Sequence, residues 1–392
     1  MIKSMAFIRL SFGYGGADRV SYDTIEYLSH LGIQCHIITK AYNPWSVYDH
    51  LKYGLHVLPR PRRAIFSGDN LRSMIDYIRQ QEIEVLFIDT PYEAVPEELR
   101  TTGSRIVYWL HNIPFWEVIQ KRDNGLARAR QSLPKWLEWQ LITRPKYFWG
   151  NRLTKRIRHI YTQNLNNSDY YVVLCDEYGE ELKHSLTLSR ADSAKIVTLI
   201  NTIPIRKEVA LPKEKKIIYV GRLSHSDKRV DRLLSIWQMV QDKLPDRTLD
   251  IYGEGPQRKH LESLAKELHL ERCHFRGRVT SPQAAYDTAS ILCLTSTYEG
   301  WPMVMMEAQN NGVIPIAFSS CAGIRAIAEH VPPAGVLIQP FDLNAYADAL
   351  VSLCTDPSRM EQLQRACLDK RQVYTQDSNL KVWEKLIAPL TP

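Results

Sequence analysis

The sequence predicts an α/β protein made of two doubly wound domains that face each other across a cleft. Short apolar runs, typical of buried parallel strands, alternate with helix-forming runs along the chain. The alternation restarts after the mostly polar stretch 211–216, which we interpret as a linker into a second domain. With 392 residues, the chain is long enough for each domain to bury its own core.

The first domain is predicted to span residues 1–203, up to the hinge-like stretch Asn201-Thr202-Ile203-Pro204. Its strands are predicted from short apolar runs at 5–10, 33–39, 85–88, 105–110, 170–174 and 195–199. The second domain is predicted to span 204–372, with strands at 216–220, 249–252, 273–276, 291–294, 313–318 and 335–339. An amphipathic run at 378–387 predicts that residues 373–392 form a C-terminal helix, which we expect to pack back towards the N-terminal domain.

One stretch of the second domain, 291–318, has the strand, loop, helix and strand of a βαβ unit. Pro302 suits the first helical position, where its missing N–H group is not needed. The loop follows the carboxyl end of a strand, where open α/β sheets bind ligands, and helix N-termini attract anions. The stretch therefore predicts an anion site beside Glu299 and Glu307. The alternatives are an acid favoured only by the helix dipole and an ordinary helix carboxylate.

A glycine-rich turn, 13–16, lies between the first predicted strand and a helix, where backbone N–H groups can approach a phosphate. A dinucleotide site would require an acid at the end of the second strand, but Thr39 and Lys40 stand there. A tight turn without a ligand remains an alternative. His111 ends another predicted strand, and both a functional and a structural role are open for it.

Composition excludes several classes of protein and leaves others open. The chain has no run of 18 apolar residues, and its first residues enter a strand without the apolar core of a signal peptide. Its seven cysteines are scattered without a C-x-x-C pair, which indicates reduced thiols, a cytoplasmic location and no structural zinc. The net charge of +7 is compatible with phosphate, lipid or nucleic acid and selects none of them.

Five motifs, in order along nearly the whole chain, resemble those of retaining glycosyltransferases of family 4, which have the GT-B fold of two Rossmann-like domains. They are Gly15-Gly16-Ala17-Asp18-Arg19-Val20, His111-Asn112, Gly221-Arg222-Leu223 with Lys228, Gly253-Glu254-Gly255-Pro256, and Glu299-Gly300-Trp301-Pro302 with Glu307. Each motif alone is weak, whereas the Glu299–Glu307 spacing is fairly specific. Trp301 replaces the more usual Phe.

The resemblance implies that a sugar nucleotide, with UDP favoured and GDP possible, binds the second domain. Arg222 and Lys228 match the cationic pair that holds the diphosphate, and two fixed positive charges suit a departing phosphate. Glu307 matches the ribose-binding acid, and Glu299 matches an acid near the donor sugar. Further residues implied in donor binding are Gly300, Met303 and Val304 in the same motif, Val279 near the base, and Gly15 and Gly16 from the other domain. His111 would lie near the transferred sugar.

The implied reaction retains the configuration at the anomeric carbon and transfers the sugar to a glycan or lipid-linked glycan, for cell-surface polysaccharide synthesis. No D-x-D triplet occurs in the chain, so we expect no metal and no other cofactor. Three alternatives remain: a sugar-nucleotide epimerase, a phosphorylase on the same fold, and a non-catalytic sugar-nucleotide or glycan-binding protein. A pair of hydrolytic carboxylates is less favoured.

Segment 131–160 has seven basic residues, one acidic residue and three tryptophans. The basic residues are Lys135, Arg144, Lys146, Arg152, Lys155, Arg156 and Arg158. The acidic residue is Glu138, and the tryptophans are Trp136, Trp139 and Trp149. One interpretation is peripheral contact with the anionic inner face of a membrane. The other is a pair of helices that packs tryptophan into the first domain. Nucleic-acid binding is disfavoured, because no recognised module accompanies the segment.

Overall fold

A computed structural model describes residues 2–13, 15–44, 48–279 and 281–388. The chain divides into two compact units. The first comprises Met1–Ile119, Leu137–Thr202 and Gln376–Pro392, and the second comprises Gln120–Trp136 and Ile203–Thr375. The division near 202 lies next to the boundary that we predicted. Residues 120–136, which the sequence analysis assigned to the first domain, count with the second unit.

The strands of the first unit form one parallel sheet in the part of the chain that is described. They are β1 Ser4–Phe12, β2 Gln34–Tyr42, β3 Gly54–Val57, β4 Val85–Asp89, β5 Arg105–Trp109, β6 Tyr170–Val173 and β7 Ile196–Thr198. Their order is β3-β2-β1-β4-β5-β6-β7, so the direction of winding reverses between β1 and β4. The edge strand β3 was not predicted from the sequence.

The second unit has its own parallel sheet in the same described part. Its strands are β8 Lys216–Val220, β9 Thr248–Tyr252, β10 Cys273–Gly277, β11 Ile291–Leu294, β12 Ile314–Phe318 and β13 Val336–Ile338. Their order is β10-β9-β8-β11-β12-β13, with the reversal between β8 and β11. The central strands are buried on both faces, which explains their continuous apolar runs. The prediction of two doubly wound α/β domains is confirmed.

Helices connect these strands. Those up to β7 are α1 Gly16–His30, α2 Gly68–Gln80, α3 Trp116–Ala129, α4 Leu133–Glu138, α5 Arg144–Phe148, α6 Arg152–Asn166, α7 Asp176–Leu186 and α8 Arg190–Ser193. Those after β8 are α9 Val230–Val240, α10 Arg258–Glu267, α11 Gln283–Thr288, α12 Met303–Asn310, α13 Ala322–Ala328, α14 Leu343–Thr355, α15 Pro357–Lys370 and α16 Leu380–Leu386. Short 3₁₀ turns and a π-helical turn at Trp139–Thr143 complete the chain.

The C-terminal helix α16 packs against the sheet of the first unit. In α16, Trp383 is buried and packs against Phe87 of β4, with ring centroids 5.6 Å apart. Arg105, at the start of β5, donates to the carbonyl oxygens of Leu386 and Ala388 at 2.8 and 2.6 Å. The C-terminal tail therefore belongs structurally with the strands of the first sheet. Within the described ranges, none of the helices combines the length and apolar character needed to cross a bilayer.

Candidate active site

Several of the predicted site residues lie in loops that follow the strands at which each sheet reverses its winding. In the second unit, the loop after β8 contains Arg222 and Lys228, and the loop after β11 contains Glu299. Because β8 and β11 are parallel neighbours, these two loops leave the same edge of the sheet. Ligands of doubly wound proteins bind at such a reversal, outside the carboxyl ends of the strands.

Lys228 and Glu299 are partners in a close ion pair. Lys228 Nζ donates to both carboxylate oxygens, at 2.7 Å to Oε1 and 2.8 Å to Oε2. Ser296 Oγ also donates to Oε1, at 2.7 Å. The Glu299 side chain is only 10% exposed, so these donors replace the water that would otherwise stabilise its charge. Both charged residues were predicted site residues, but their pairing was not predicted from the sequence.

Hydrogen bonds to two backbone carbonyl groups hold the two loops together beside this ion pair. The N–H group of Thr297 donates to the carbonyl oxygen of Asp227 at 2.7 Å, and Thr295 Oγ1 donates to that of Arg229 at 2.9 Å. Arg229 has a φ of 50°, a left-handed conformation that turns the chain into α9 directly after Lys228. The ammonium group therefore extends from a segment that is fixed on both sides.

Cys321, the residue before α13, supports the backbone of Glu299. Its thiol donates to the carbonyl oxygen of Glu299 at 3.1 Å and accepts from the N–H group of the same residue at 3.4 Å. Cys321 is buried. No local sequence signal indicates this role, because Glu299 follows β11 whereas Cys321 follows β12.

Arg222 makes its ion pair with Asp227, from Nη2 to Oδ2 at 2.9 Å, while most of its own side chain is exposed. Asp227 also accepts hydrogen bonds from Ser224 and Ser226. Burial opposes ionisation of Asp227, but Lys228, Arg222 and the Ser224 hydroxyl outweigh it and lower the pKa of this carboxyl. Asp227 was missed in the sequence analysis. It pairs with Arg222 and directly precedes Lys228 in the chain.

The glycines after β9 have a packing role. An added Cβ at Gly253 would lie 1.8 Å from the carbonyl oxygen of Gly221, and one at Gly255 would lie 2.3 Å from that of Leu223. Backbone hydrogen bonds join the two turns here, from Leu223 N–H to the Glu254 oxygen at 2.9 Å and from Gln257 N–H to the Leu223 oxygen at 3.1 Å. The Gly253-Glu254-Gly255-Pro256 motif thus fixes the turn that carries Arg222.

Glu307, the predicted ribose-binding acid, lies on α12 and is half-buried. Its Oε2 accepts a hydrogen bond from the hydroxyl of Tyr286 at 2.8 Å, and Tyr286 itself is buried on α11. The hydroxyl orients the carboxylate, because a buried ring has little freedom to move. Sequence reasoning missed Tyr286, which is separated from Glu307 by a strand and a loop.

Pro302 is the N-cap of α12, and the helix begins at Met303, one residue later than predicted. Within the described residues, the N–H groups of Met303 and Val304 have no hydrogen-bond partner, as is usual for a first helical turn. They are therefore available to an anion. Gly300 is buried in the preceding loop, and Val279 follows β10 with its side chain partly exposed.

In the first unit, Gly15 and Gly16 follow β1 at the reversal point of that sheet. Asp18 holds the turn, because its Oδ2 accepts from the N–H groups of Gly13 and Gly15 at 3.2 and 2.9 Å. Its Oδ1 pairs with Arg9 Nη1 at 3.0 Å, and Arg9 Nη2 pairs with Asp89 Oδ2 at 3.0 Å. An ion-pair chain between β1, α1 and β4 thus fixes the conformation of the glycine-rich turn.

His111 follows β5, and its ring lies 4.4 Å from that of Trp109. Its Nδ1 atom is buried and has no hydrogen-bond partner among the described residues. Burial and the positive charge of Arg9 lower the pKa of His111 well below its ordinary value. The imidazole is therefore neutral near pH 7. In this form it can accept a hydrogen bond from a hydroxyl group or donate one to it.

Glu117, in the first turn of α3, gives a testable pH dependence. Burial raises its pKa to about 7 from 4.5, although the Tyr161 hydroxyl donates to it at 2.9 Å. Because the folded-state pKa exceeds the unfolded value, the free energy of unfolding falls as pH rises through this interval. We expect Glu117→Gln to reduce the decline between pH 5 and 8 by about 2–3 kcal/mol. Urea unfolding of both proteins across this range tests it, and parallel curves would contradict it.

Comparisons with known proteins agree with these features. The family model described as Glycosyltransferase Family 4 matches residues 14–202, and the one described as Glycosyl transferases group 1 matches 201–367. The chain is 29% identical over 245 residues to an uncharacterized glycosyltransferase of Haemophilus influenzae. The match covers 61% of this chain and 64% of that protein.

A second relative is the Campylobacter jejuni GalNAc-α-(1→4)-GalNAc-α-(1→3)-diNAcBac-PP-undecaprenol α-1,4-N-acetyl-D-galactosaminyltransferase, 27% identical over 50% of this chain and 55% of that protein. The matches thus span less than two thirds of these curated relatives. Among solved structures, Anabaena HepE in complex with UDP has a TM-score of 0.71 and 15% identity, over 99% of this chain and 100% of that one. This likeness shows the GT-B fold.

Proposed function

We propose that this chain, which belongs to the glycosyl transferases group 1 family, transfers a sugar from a nucleotide-diphosphate sugar to a hydroxyl group of a glycan acceptor. The observation that carries the proposal is the Lys228–Glu299 pair beside the available N–H groups of Met303 and Val304. A cation and free backbone donors at the carboxyl ends of two parallel strands form a suitable site for a diphosphate.

The diphosphate is assigned to the second unit. In this proposal Arg222, Lys228 and the start of α12 contact its oxygens, and Glu307 accepts hydrogen bonds from the ribose hydroxyls. Tyr286 supports that role because it already orients the Glu307 carboxylate. Glu299 and Gly300 border the donor sugar, and Val279 lies near the base. Gly15, Gly16 and His111 remain proposed contacts from the first unit.

The proposed reaction retains the configuration of the anomeric carbon. The acceptor oxygen forms its bond to this carbon on the face from which the diphosphate departs. As the bond from carbon to the phosphate oxygen breaks, that oxygen takes the proton of the acceptor hydroxyl. Arg222 and Lys228 stabilise the negative charge that develops on the diphosphate, so catalysis depends on positioning and electrostatics. We propose that no metal is needed, which predicts an unchanged rate in a chelator.

A UDP-sugar is the favoured donor, and a GDP-sugar is the second choice. HepE, which has a similar fold, was solved in complex with UDP, and this supports placing a UDP-sugar first. The acceptor is proposed to be a glycan or a lipid-linked glycan of cell-surface polysaccharide synthesis, handled on the cytoplasmic side of a membrane. The C. jejuni relative supports the lipid-linked form, because its name specifies an undecaprenol-linked acceptor.

Donor turnover tests the proposed function. The purified protein is incubated with UDP-, GDP- and ADP-sugars, and released nucleotide is measured with and without candidate acceptors. Glu307→Ala should weaken binding of the preferred nucleotide about tenfold, since it removes hydrogen bonds from the ribose to a charged group. The control is Glu267→Ala, which removes an exposed carboxylate from α10. Unchanged affinity in Glu307→Ala would contradict the assigned ribose contact.

The product separates the alternatives. Transfer gives free nucleotide and an extended acceptor, whereas an epimerase alters the donor without an acceptor. A phosphorylase requires inorganic phosphate, and a binding protein gives no product. The intact set of Arg222, Lys228, Glu299 and Glu307 favours transfer over binding alone.

A further inference from the structure

An exposed apolar surface occurs in the first unit between residues 137 and 158, separate from the residues of the proposed donor site. Leu137, Leu141, Ile142 and Trp149 have exposed fractions of 42, 71, 62 and 74%. Large apolar side chains that are grouped on a surface mark an interaction site, whereas single ones need no explanation. We refer to residues 137–158 as the 137–158 surface.

Buried neighbours anchor this surface. Trp139 is buried and lies 5.6 Å from the ring of Phe148, and α6 buries Leu153 and Ile157. The exposed apolar residues therefore come from helical segments that are attached to the core of the first unit. This combines the two sequence interpretations of segment 131–160, because Trp139 packs inside while Trp149 remains in solvent.

The polar part of the 137–158 surface is basic. It contains six cationic residues and one acidic residue, Glu138; the cations are Arg144, Lys146, Arg152, Lys155, Arg156 and Arg158. Across the described ranges, none of the six forms an ion pair. Arg144 donates to the side chain of Gln140, and Lys146 lies over the ring of Tyr147, but neither partner is an anion. An anionic surface would therefore gain the attraction of these cations without first breaking ion pairs.

We propose that the 137–158 surface docks on an anionic lipid bilayer. Leu141, Ile142 and Trp149 enter the boundary between headgroups and acyl chains, where tryptophan is favoured, and the cations face the lipid phosphates. Charge complementarity favours this partner over a second copy of the chain. In a symmetric dimer the same surface meets itself, so the cations would face each other. Nucleic acid would leave Leu141 and Ile142 without apolar contacts.

Vesicle flotation tests the proposal with the full chain. One set of vesicles contains phosphatidylcholine alone, and the other contains phosphatidylcholine and phosphatidylglycerol in equal parts. We expect the protein to float with the anionic vesicles, to remain in solution with the neutral ones, and to be released by high salt. Neither donor nor acceptor is present, so the result is independent of the glycosyltransferase assignment.

Two variants separate the charged and apolar contributions. Arg152→Gln/Lys155→Gln/Arg156→Gln should weaken binding to anionic vesicles on the order of 100-fold, since each cation near such a surface contributes about fivefold. Leu141→Ser/Ile142→Ser/Trp149→Ser should abolish flotation. The matched charge control, Arg62→Gln/Lys243→Gln/Lys381→Gln, removes three other exposed cations and should bind as the wild type does. The two surface variants and the charge control should all have the thermal unfolding temperature of the wild type, because the altered side chains are exposed.

The results overturn the proposal if the wild type binds neither kind of vesicle, or if both surface variants float as well as the control. If analytical ultracentrifugation shows a dimer that only the apolar variant disrupts, without vesicle binding, the surface is a protein interface instead. Release of nucleotide from a soluble donor is measured in parallel. Normal turnover in a variant that has lost flotation separates membrane docking from catalysis.

Discussion

Replacing Lys228 with alanine is expected to lower kcat about 10²–10³-fold, the cost of removing one charged donor from a developing anion. In the proposed mechanism, Nζ stabilises the departing diphosphate. In the free protein, the same nitrogen holds both oxygens of Glu299 at 2.7 and 2.8 Å. The change therefore affects both the reaction and the carboxylate beside it. Steady-state kinetics at saturating donor measures the first effect, and urea unfolding measures the second.

A double variant distinguishes these effects. Lys228→Met/Glu299→Gln removes both charges from the buried pair and should restore most of the stability lost in Lys228→Ala, because no unpaired carboxylate remains. The double variant should nevertheless remain as slow as the single one. Recovery of kcat together with stability would mean that Lys228 acts only through structure. Lys259→Ala, an exposed residue at the start of α10, is the matched control and should change neither quantity.

Replacing Arg9 with methionine is expected to lower the free energy of unfolding by about 3–5 kcal/mol, since it leaves buried charges without their partner. Arg9 contacts Asp18 and Asp89 at 3.0 Å each, and all three side chains are at most 14% exposed. Burial already raises the pKa of Asp89 despite the opposing charge of Arg9. Without Arg9 this pKa rises further, so the deficit should be larger at pH 8 than at pH 5.

The control for this change is Arg365→Met, which removes a surface ion pair with Glu361. Exposed pairs contribute little to stability, so its unfolding curve should overlay that of the wild type. Arg9→Met/Asp89→Asn should recover part of the loss, because one buried charge is removed with its partner. If Arg9→Met unfolds within about 1 kcal/mol of the wild type, the three residues do not form a buried charged unit.

The fold was predictable because the central strands of both sheets are covered on both faces. Such strands appear in the sequence as continuous apolar runs, as at Ile314–Phe318, where all five residues are buried. β3 was missed for the opposite reason. It is an edge strand of four residues, Gly54–Val57, whose Leu55 and Val57 are exposed, and it lacks a continuous buried run.

The site was only partly predictable, since local sequence indicates a loop but not its partners. Glu299 and Glu307 were found from the loop and helix that carry them. Tyr286 and Cys321 were missed, because their contacts with Glu307 and Glu299 join segments that only the folded sheet brings together. Asp227 was missed although its partner Arg222 lies in the same loop. Asp227 carries no motif of its own, and Cys321 is an uncommon residue for a backbone contact.

The pairing of Arg222 with Asp227 and of Lys228 with Glu299 has a consequence for selectivity. Each cation already has an anion within the protein, so these two pairs together carry little net charge to attract inorganic phosphate or other small cellular anions. A ligand must offer enough further contacts, through its ribose, base and sugar, to compensate for rearranging these pairs. Discrimination among anions then depends on the shape and hydrogen bonds of the whole nucleotide, and nucleotide affinity should vary only weakly with ionic strength.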